Sequence, residues 1–175
     1  CANVLTKAGR SVVVMDQHTI GWGASSRNGG MATPGLKQDI FKIKKTYGMD
    51  YAREFWKSSV DAIDLLEQII MEEGIDCHWS RCGHMSLAYK QSHFDDLVDY
   101  IEWLDKEFGH KKKLITKSQL KSEIGTDAYF GGNTDELSGG LQPAKYVFGL
   151  ARAVTDHGAI LCENSQVTSI QKESN

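Results

Sequence analysis

Ser11-Val-Val-Val-Met15-Asp16, and then Ile20-Gly-Trp-Gly-Ala-Ser-Ser-Arg-Asn-Gly-Gly-Met31, decide how this chain is read. The first stretch is a continuous apolar run closed by an acid. That is the pattern of a strand buried on both faces, as in a parallel sheet. The second is dense in glycine and serine and has no hydrophobic period, so residues 21–35 read as a loop. In a dinucleotide-binding βαβ unit, an acid at the end of the second strand accepts hydrogen bonds from a ribose. It lies about 20 residues beyond a glycine-rich turn. Counting back from Asp16 places that turn ahead of residue 1. Ala2, Val4, Leu5 and Ala8 suit the last turns of the intervening helix, with Gly9 as its stop. An Asp at a strand end is also an ordinary turn former, so Asp16 alone leaves the matter open.

Working outward, residues 36–47 suit a short helix. Residues 50–73 suit a long one, with Ala52, Phe55, Trp56, Ile63, Leu66 and Ile70 on one side and Gly74 as its end. Residues 82–89 alternate as a strand. Residues 92–108 are again amphipathic through Phe94, Leu97, Val98, Ile101, Leu104 and Phe108. A short helix is expected over 118–124 and short strands within the glycine-rich 125–142. Pro143 is placed to open a helix at its first turn, whose buried face is Tyr146, Val147, Leu150, Ala151 and Val154. Residues 159–163 and 166–171 read as two strands about Asn164-Ser165. The order predicts an α/β fold: a domain over 1–76 and 143–175, interrupted by a second segment over 77–142.

The chain has 175 residues, 41% hydrophobic and 25% charged, with a net charge of −3. That balance offers no electrostatic footprint for nucleic acid. Lys111-Lys112-Lys113 reads as a solvated turn before a strand. No apolar run approaches the roughly 20 residues of a membrane helix, and no leader pattern is seen. The chain opens within a helical pattern, which suggests a start further upstream. Cys1, Cys77, Cys82 and Cys162 are irregularly spaced, the pattern of free thiols in a reducing, cytoplasmic setting.

The loop after Asp16 carries the chemistry. Adjacent glycines let backbone approach a flat ligand closely. Ser25 and Ser26 bring hydroxyls, Arg27 a charged fork and Asn28 an amide. A flexible surface loop is the plain alternative, but it has little use for Trp22, Arg27 and Asn28 among its small residues.

Ile20–Met31 resembles the second FAD-contacting motif of the D-amino-acid-oxidase-like (DAO) flavoproteins, most like the gamma-glutamylputrescine oxidase type. A second block agrees: Gly139-Gly-Leu-Gln-Pro-Ala-Lys-Tyr-Val-Phe-Gly-Leu-Ala-Arg-Ala153, then His157-Gly-Ala159 and Glu163-Asn-Ser-Gln-Val-Thr-Ser-Ile170. It is similar to the family's helix after the substrate segment and the strand that reaches the adenine. The resemblance implies an FAD/NAD(P)-binding, Rossmann-like domain of the glutathione-reductase type, with an inserted α+β substrate-domain segment. It implies that Asp16 binds the ribose, with Gln17 shielding the adenine. Ala24, Ser25, Arg27 and Asn28 would contact the pyrophosphate and ribityl chain. Gly29, Gly30 and Met31 would run beside the flavin, and Val167 would hold the adenine by its backbone. FAD is the implied cofactor, an amine or amino acid the substrate, and dioxygen the acceptor, with release of hydrogen peroxide. A quinone or carrier acceptor, or a non-catalytic α/β module, are the alternatives. The family's phosphate loop and its later pocket-closing segment are missing from the stretch, so an internal piece that binds FAD poorly by itself is expected.

Cys77-His78 with Cys82 and His84 offers zinc-ligand types at a spacing foreign to zinc fingers, so packing and surface roles are preferred. His93, His110 and His157 are placed in helices or at their ends, without a nucleophile beside them in sequence. His157 suits a helix C-terminus.

Overall fold

The computed structural model describes residues 1–172. In chain order its elements are α1 (Ala2–Lys7), β1 (Val13–Met15), a 3-10 turn (Ala24–Ser26), β2 (Met31–Ala32), α2 (Ile40–Tyr47), α3 (Met49–Glu72), β3 (His84–Leu87), α4 (Gln91–Phe108), β4 (Lys113–Thr116), α5 (Lys117–Ile124), β5 (Gly131–Asp135), β6 (Gly139–Gly140), α6 (Pro143–Asp156) and β7 (Ile160–Cys162). They form two compact units. The first comprises residues 1–30, 67–79 and 141 onward; the second comprises 31–66 and 80–140.

In the first unit, β1 pairs in parallel with β7, Val14 opposite Leu161. A parallel pair needs a crossover. Immediately before β7 comes α6, which has Pro143 at its first turn and is capped by Gln142, whose Oε1 accepts the Lys145 amide at 2.5 Å. Ile70, Ile75, Cys77, Ala153, Val154 and Ala159 are buried here. Gly149 of α6 lets Ile75 approach its backbone: a Cβ there would stand 2.3 Å from Ile75 Cγ2. The expectation that β1 is buried on both faces is met on one face only among the described residues: Val14 is partly buried, while Val13 and Met15, on the other face, are 56% and 55% exposed. A strand over 166–171 does not form. No described backbone pairs with that segment, and Ile170 is 92% exposed.

In the second unit, β3, β5 and β4 make an antiparallel sheet in that order, with Ser86 and Leu114 both opposite Asn133. β2 and β6 form a separate short pair. Asp39 caps α2, its Oδ1 accepting the Phe41 amide at 2.8 Å. Thr116 and Gln119 form a capping box on α5, which satisfies amide groups that a helix start leaves free. Ile40, Ile43, Ala52, Trp56 and Leu104 form the core. Phe55, placed on the buried side of α3 by its periodicity, is 40% exposed.

The second unit also holds a buried ionic group. His110 Nε2 lies 3.0 Å and Lys112 Nζ 3.1 Å from Asp135 Oδ2, and His110 and Asp135 are both almost fully buried. Burial alone would raise the Asp135 carboxyl; the His110 hydrogen bond and the Lys112 charge outweigh it and hold it below its ordinary value. Of the lysine triplet, Lys111 and Lys113 are exposed as a solvated turn before a strand requires, and Lys112 is the exception. It turns inward because a buried carboxylate requires a partner.

Candidate functional site

The strand ends of the first unit bring the acid of β1 beside the chain leaving β7. The Asp16 amide donates to the Cys162 carbonyl at 2.9 Å, and the Ser165 amide donates to the Asp16 carbonyl at 2.7 Å. The Asn164 amide donates to the His18 carbonyl at 3.1 Å. Glu163 Oε1 accepts the Ile20 amide at 2.7 Å. The carboxyl edge of this parallel pair is thus tied together, the edge at which open α/β sheets take ligands.

Asp16 is half-buried and folds back on its own turn: its Oδ1 accepts the His18 amide at 2.8 Å. Its Oδ2 has no hydrogen-bond partner among the described residues. Gln17 is exposed beside it. Val167 lies two residues past Ser165 and is half exposed, and neither its amide nor its carbonyl is bonded to another described residue.

Beyond Asp16, the loop packs its 3-10 turn on α6. Gly21 faces Val147 and Phe148, and the Ser26 hydroxyl donates to the Gly21 carbonyl. Asn28 is spent inside the loop. Its Nδ2 donates to the carbonyls of Ala24 and Ser25, both at 3.0 Å, and its Oδ1 accepts the Gly30 amide at 2.8 Å. Asn28 therefore shapes the loop, and its side-chain polar atoms are already engaged. Gly30 has φ +68°, and a Cβ there would stand 2.0 Å from the Leu141 carbonyl oxygen. The Leu141 amide donates to the Gly30 carbonyl at 2.9 Å. The two recognised sequence blocks meet at this contact, which no residue but glycine permits.

Ala24, Ser25, Arg27 and Gly29 are exposed on the loop. Met31 belongs to the second unit, where it pairs with Gly140 and is 67% exposed. The structure thus gathers Asp16, Gln17 and the chain toward Val167 at one strand edge, and Ala24 to Gly30 in one loop. Sequence reasoning marked Trp22 without giving it a role and passed over His18; their rings lie 4.0 Å apart between centroids. It also passed over Glu163, whose signal was an acid just past a strand end. Of the cysteine and histidine quartet, Cys77 is buried, which pushes its thiol up, while Cys82 precedes β3 and is exposed. Among the described residues no group of three or more His, Cys, Asp or Glu is arranged to hold a metal ion, and no helix is long and apolar enough to cross a membrane.

A family model described as FAD dependent oxidoreductase (DAO) matches residues 1–175. The chain is 34% identical over 171 residues to the probable oxidoreductase OrdL of Haemophilus influenzae, covering 97% of this chain and 39% of that protein. It is 32% identical over 169 residues to the gamma-glutamylputrescine oxidoreductase of Escherichia coli, covering 95% and 39%. The glycine oxidase of Geobacillus kaustophilus shares the fold, with a TM-score of 0.77 at 22% identity over 99% of this chain and 45% of that one. The chain spans about two-fifths of the length of the curated relatives it matches.

Proposed function

The chain belongs to the FAD dependent oxidoreductase family, and from that premise we propose that its first unit supplies part of the FAD grip of an enzyme that oxidises an amine or amino acid. The observation that carries this reading is the strand edge itself. Asp16 keeps one carboxylate oxygen unengaged beside a backbone stretch with free amide and carbonyl groups, below a loop with an unpaired guanidinium.

The donors and acceptors suit the cofactor's parts. Asp16 Oδ2 accepts from ribose hydroxyls, and Val167 offers an amide and a carbonyl to the adenine, shielded by Gln17. Arg27, with Ala24 and Ser25 beside it, meets the diphosphate and ribityl chain, and Asn28 keeps that loop in shape. Gly29 and Gly30 run beside the flavin ring, where the absence of a Cβ leaves room. When bound, FAD supplies the redox chemistry, accepting a hydride from the carbon next to nitrogen, while the protein binds and orients. The oxidised substrate is an imine, which water hydrolyses, and dioxygen is the acceptor, released as hydrogen peroxide. Residues 77–142 are assigned to the substrate-domain segment, and a cytoplasmic setting suits the four free thiols. The name of the Escherichia coli relative points to γ-glutamyl amines as the first substrates to try.

The test is to express the full-length product containing this chain and record its visible spectrum. Polyamines, γ-glutamyl amines and small amino acids are then screened for peroxide release. Protein that stays colourless after reconstitution with FAD overturns the reading. Flavin bleaching by an amine without peroxide, with reduction of an added quinone, replaces the oxidase with a dehydrogenase.

A further inference from the structure

Four side chains of the first unit form a ladder along the loop. Gln17 Nε2 lies 3.1 Å from His18 Nε2, the amide donating and the ring nitrogen accepting. The His18 ring lies on the Trp22 ring, with centroids 4.0 Å apart and planes inclined by 33°. The Arg27 guanidinium carbon stands 5.2 Å from the Trp22 ring centroid. The base of the ladder is fixed by backbone: the His18 amide donates to Asp16 Oδ1 and its carbonyl accepts the Asn164 amide. Trp22 is held by its amide on the Thr19 carbonyl at 3.0 Å, and Arg27 by its amide on the Ala24 carbonyl at 3.1 Å.

Trp22 is 50% exposed, and the His18 ring and the Arg27 guanidinium both lie against its indole. The use of this arrangement lies in how a guanidinium divides its interactions. Its π face stacks on an aromatic ring, while its five N–H donors point outward in the plane, in the fork that fits oxyanions two at a time. A carboxylate partner would consume that fork. Among the described residues the Arg27 side chain makes no salt bridge or hydrogen bond, and its guanidinium carbon lies over the Trp22 ring. The ladder therefore orders a long, flexible cation and leaves every charged donor free.

We propose that His18 and Trp22 are positioning residues for the anionic half of the cofactor: they hold the Arg27 guanidinium flat, with its in-plane N–H groups presented to a diphosphate. The inference rests on the reading that FAD is taken at this loop and adds two residues which that reading leaves idle. Gln17, set against the adenine, sits at the other end of the same ladder. One rigid stack thus orients a group for the base and a group for the diphosphate. Neither His18 nor Trp22 needs to touch the ligand.

The experiment uses the full-length product stripped of flavin, with FAD affinity read from quenching of flavin fluorescence and ADP as a probe that lacks the flavin. Trp22→Ala weakens both FAD and ADP by roughly 3- to 10-fold, the size of an aromatic–cation contact and the order it imposes. Trp22→Phe, which keeps a ring face, stays within about 2-fold of wild type. In an Arg27→Ala background, Trp22→Ala has no further effect, since it acts only through the guanidinium. Arg27→Lys keeps the charge and loses the flat fork, so it loses affinity nearly as Arg27→Ala does, and it carries the test where Trp22→Ala does not fold. Additive losses in the double variant, or wild-type affinity in Arg27→Lys, overturn the inference alone. Wild-type protein that takes up no FAD overturns the cofactor reading and the inference with it.

Discussion

Glu73, just past the end of α3, is the shared acceptor of three side chains from two other segments of the first unit, and replacing it by Gln tests how that unit is held. Its Oε1 takes the Lys7 ammonium at 2.5 Å and the Asn3 amide at 3.0 Å, both from α1. Its Oε2 lies 3.0 Å from His157 Nε2, at the C-cap of α6. The Glu73 side chain is 6% exposed. The Lys7 and Asn3 hydrogen bonds, opposed by burial and aided by His157, bring its carboxyl from 4.5 down to about 2. That interval, at about 1.4 kcal/mol per pH unit, sets a ceiling of roughly 3 kcal/mol on what the charge contributes. Lys7 is 37% and His157 35% exposed, so water screens both, and about 1–2 kcal/mol is expected for Glu73→Gln at pH 7. The sign follows from proton counting. Between pH 4.5 and 2 the unfolded chain holds a proton on Glu73 that the folded chain lacks, so stability falls as pH falls through that window. Urea unfolding of the full-length product at pH 7 and at steps down to pH 3 is the assay. The variant unfolds at lower urea at pH 7, and the gap narrows on acidification. A gap that stays constant with pH, or is absent at pH 7, refutes the assignment of Glu73 as a charged clamp.

Three further outcomes follow from the geometry. Gly30→Ala drives a methyl to 2.0 Å from the Leu141 carbonyl oxygen; the loop must shift, and FAD titration shows binding lost while far-UV circular dichroism is kept. Asp16→Asn keeps an acceptor for the His18 amide but gives up the charge offered to the ribose. FAD affinity drops roughly 10-fold or more, the worth of a charged hydrogen bond, and unchanged affinity removes Asp16 from the site. His110→Ala leaves Asp135 buried with Lys112 as its remaining charged partner; a loss of about 3 kcal/mol in urea unfolding is expected, and a loss below about 0.5 kcal/mol shows the pair to be incidental.

What was legible in the sequence follows from the range of the interactions concerned. The helices announce themselves because their burial is periodic: Ala52, Trp56, Ile63 and Ile70 of α3 are all buried, and Pro143 and Gly74 sit where helix ends require them. β5 shows less clearly. Short strands are expected within 125–142, but Gly-Gly-Asn-Thr-Asp has weak strand propensity apart from Thr134, and its bounds are set because β3 and β4 bond its backbone from both sides. The same dependence explains the error at 166–171, where Val167 and Ile170 suit a strand but no described backbone pairs with them. His110 and Asp135 lie 25 residues apart, so neither marks the other in sequence, and Lys112 reads as a solvated lysine until the carboxylate behind it is seen.

The loop shows the limit most sharply. Residue types disclose which donors and acceptors a segment owns, and on that ground Ser25, Arg27 and Asn28 were equal candidates. Only coordinates disclose which of them are already engaged. Asn28 has both amide groups turned to the loop's own backbone, while Arg27 lies over the Trp22 ring with no side-chain hydrogen bond among the described residues. A polar residue whose hydrogen bonds close within its own turn holds a shape; one whose donors remain open beside a shaped turn is available to a ligand. By that criterion Asp16, half engaged through Oδ1 and open at Oδ2, does both, so the acid that first suggested the fold is also the residue in which folding and binding are hardest to separate.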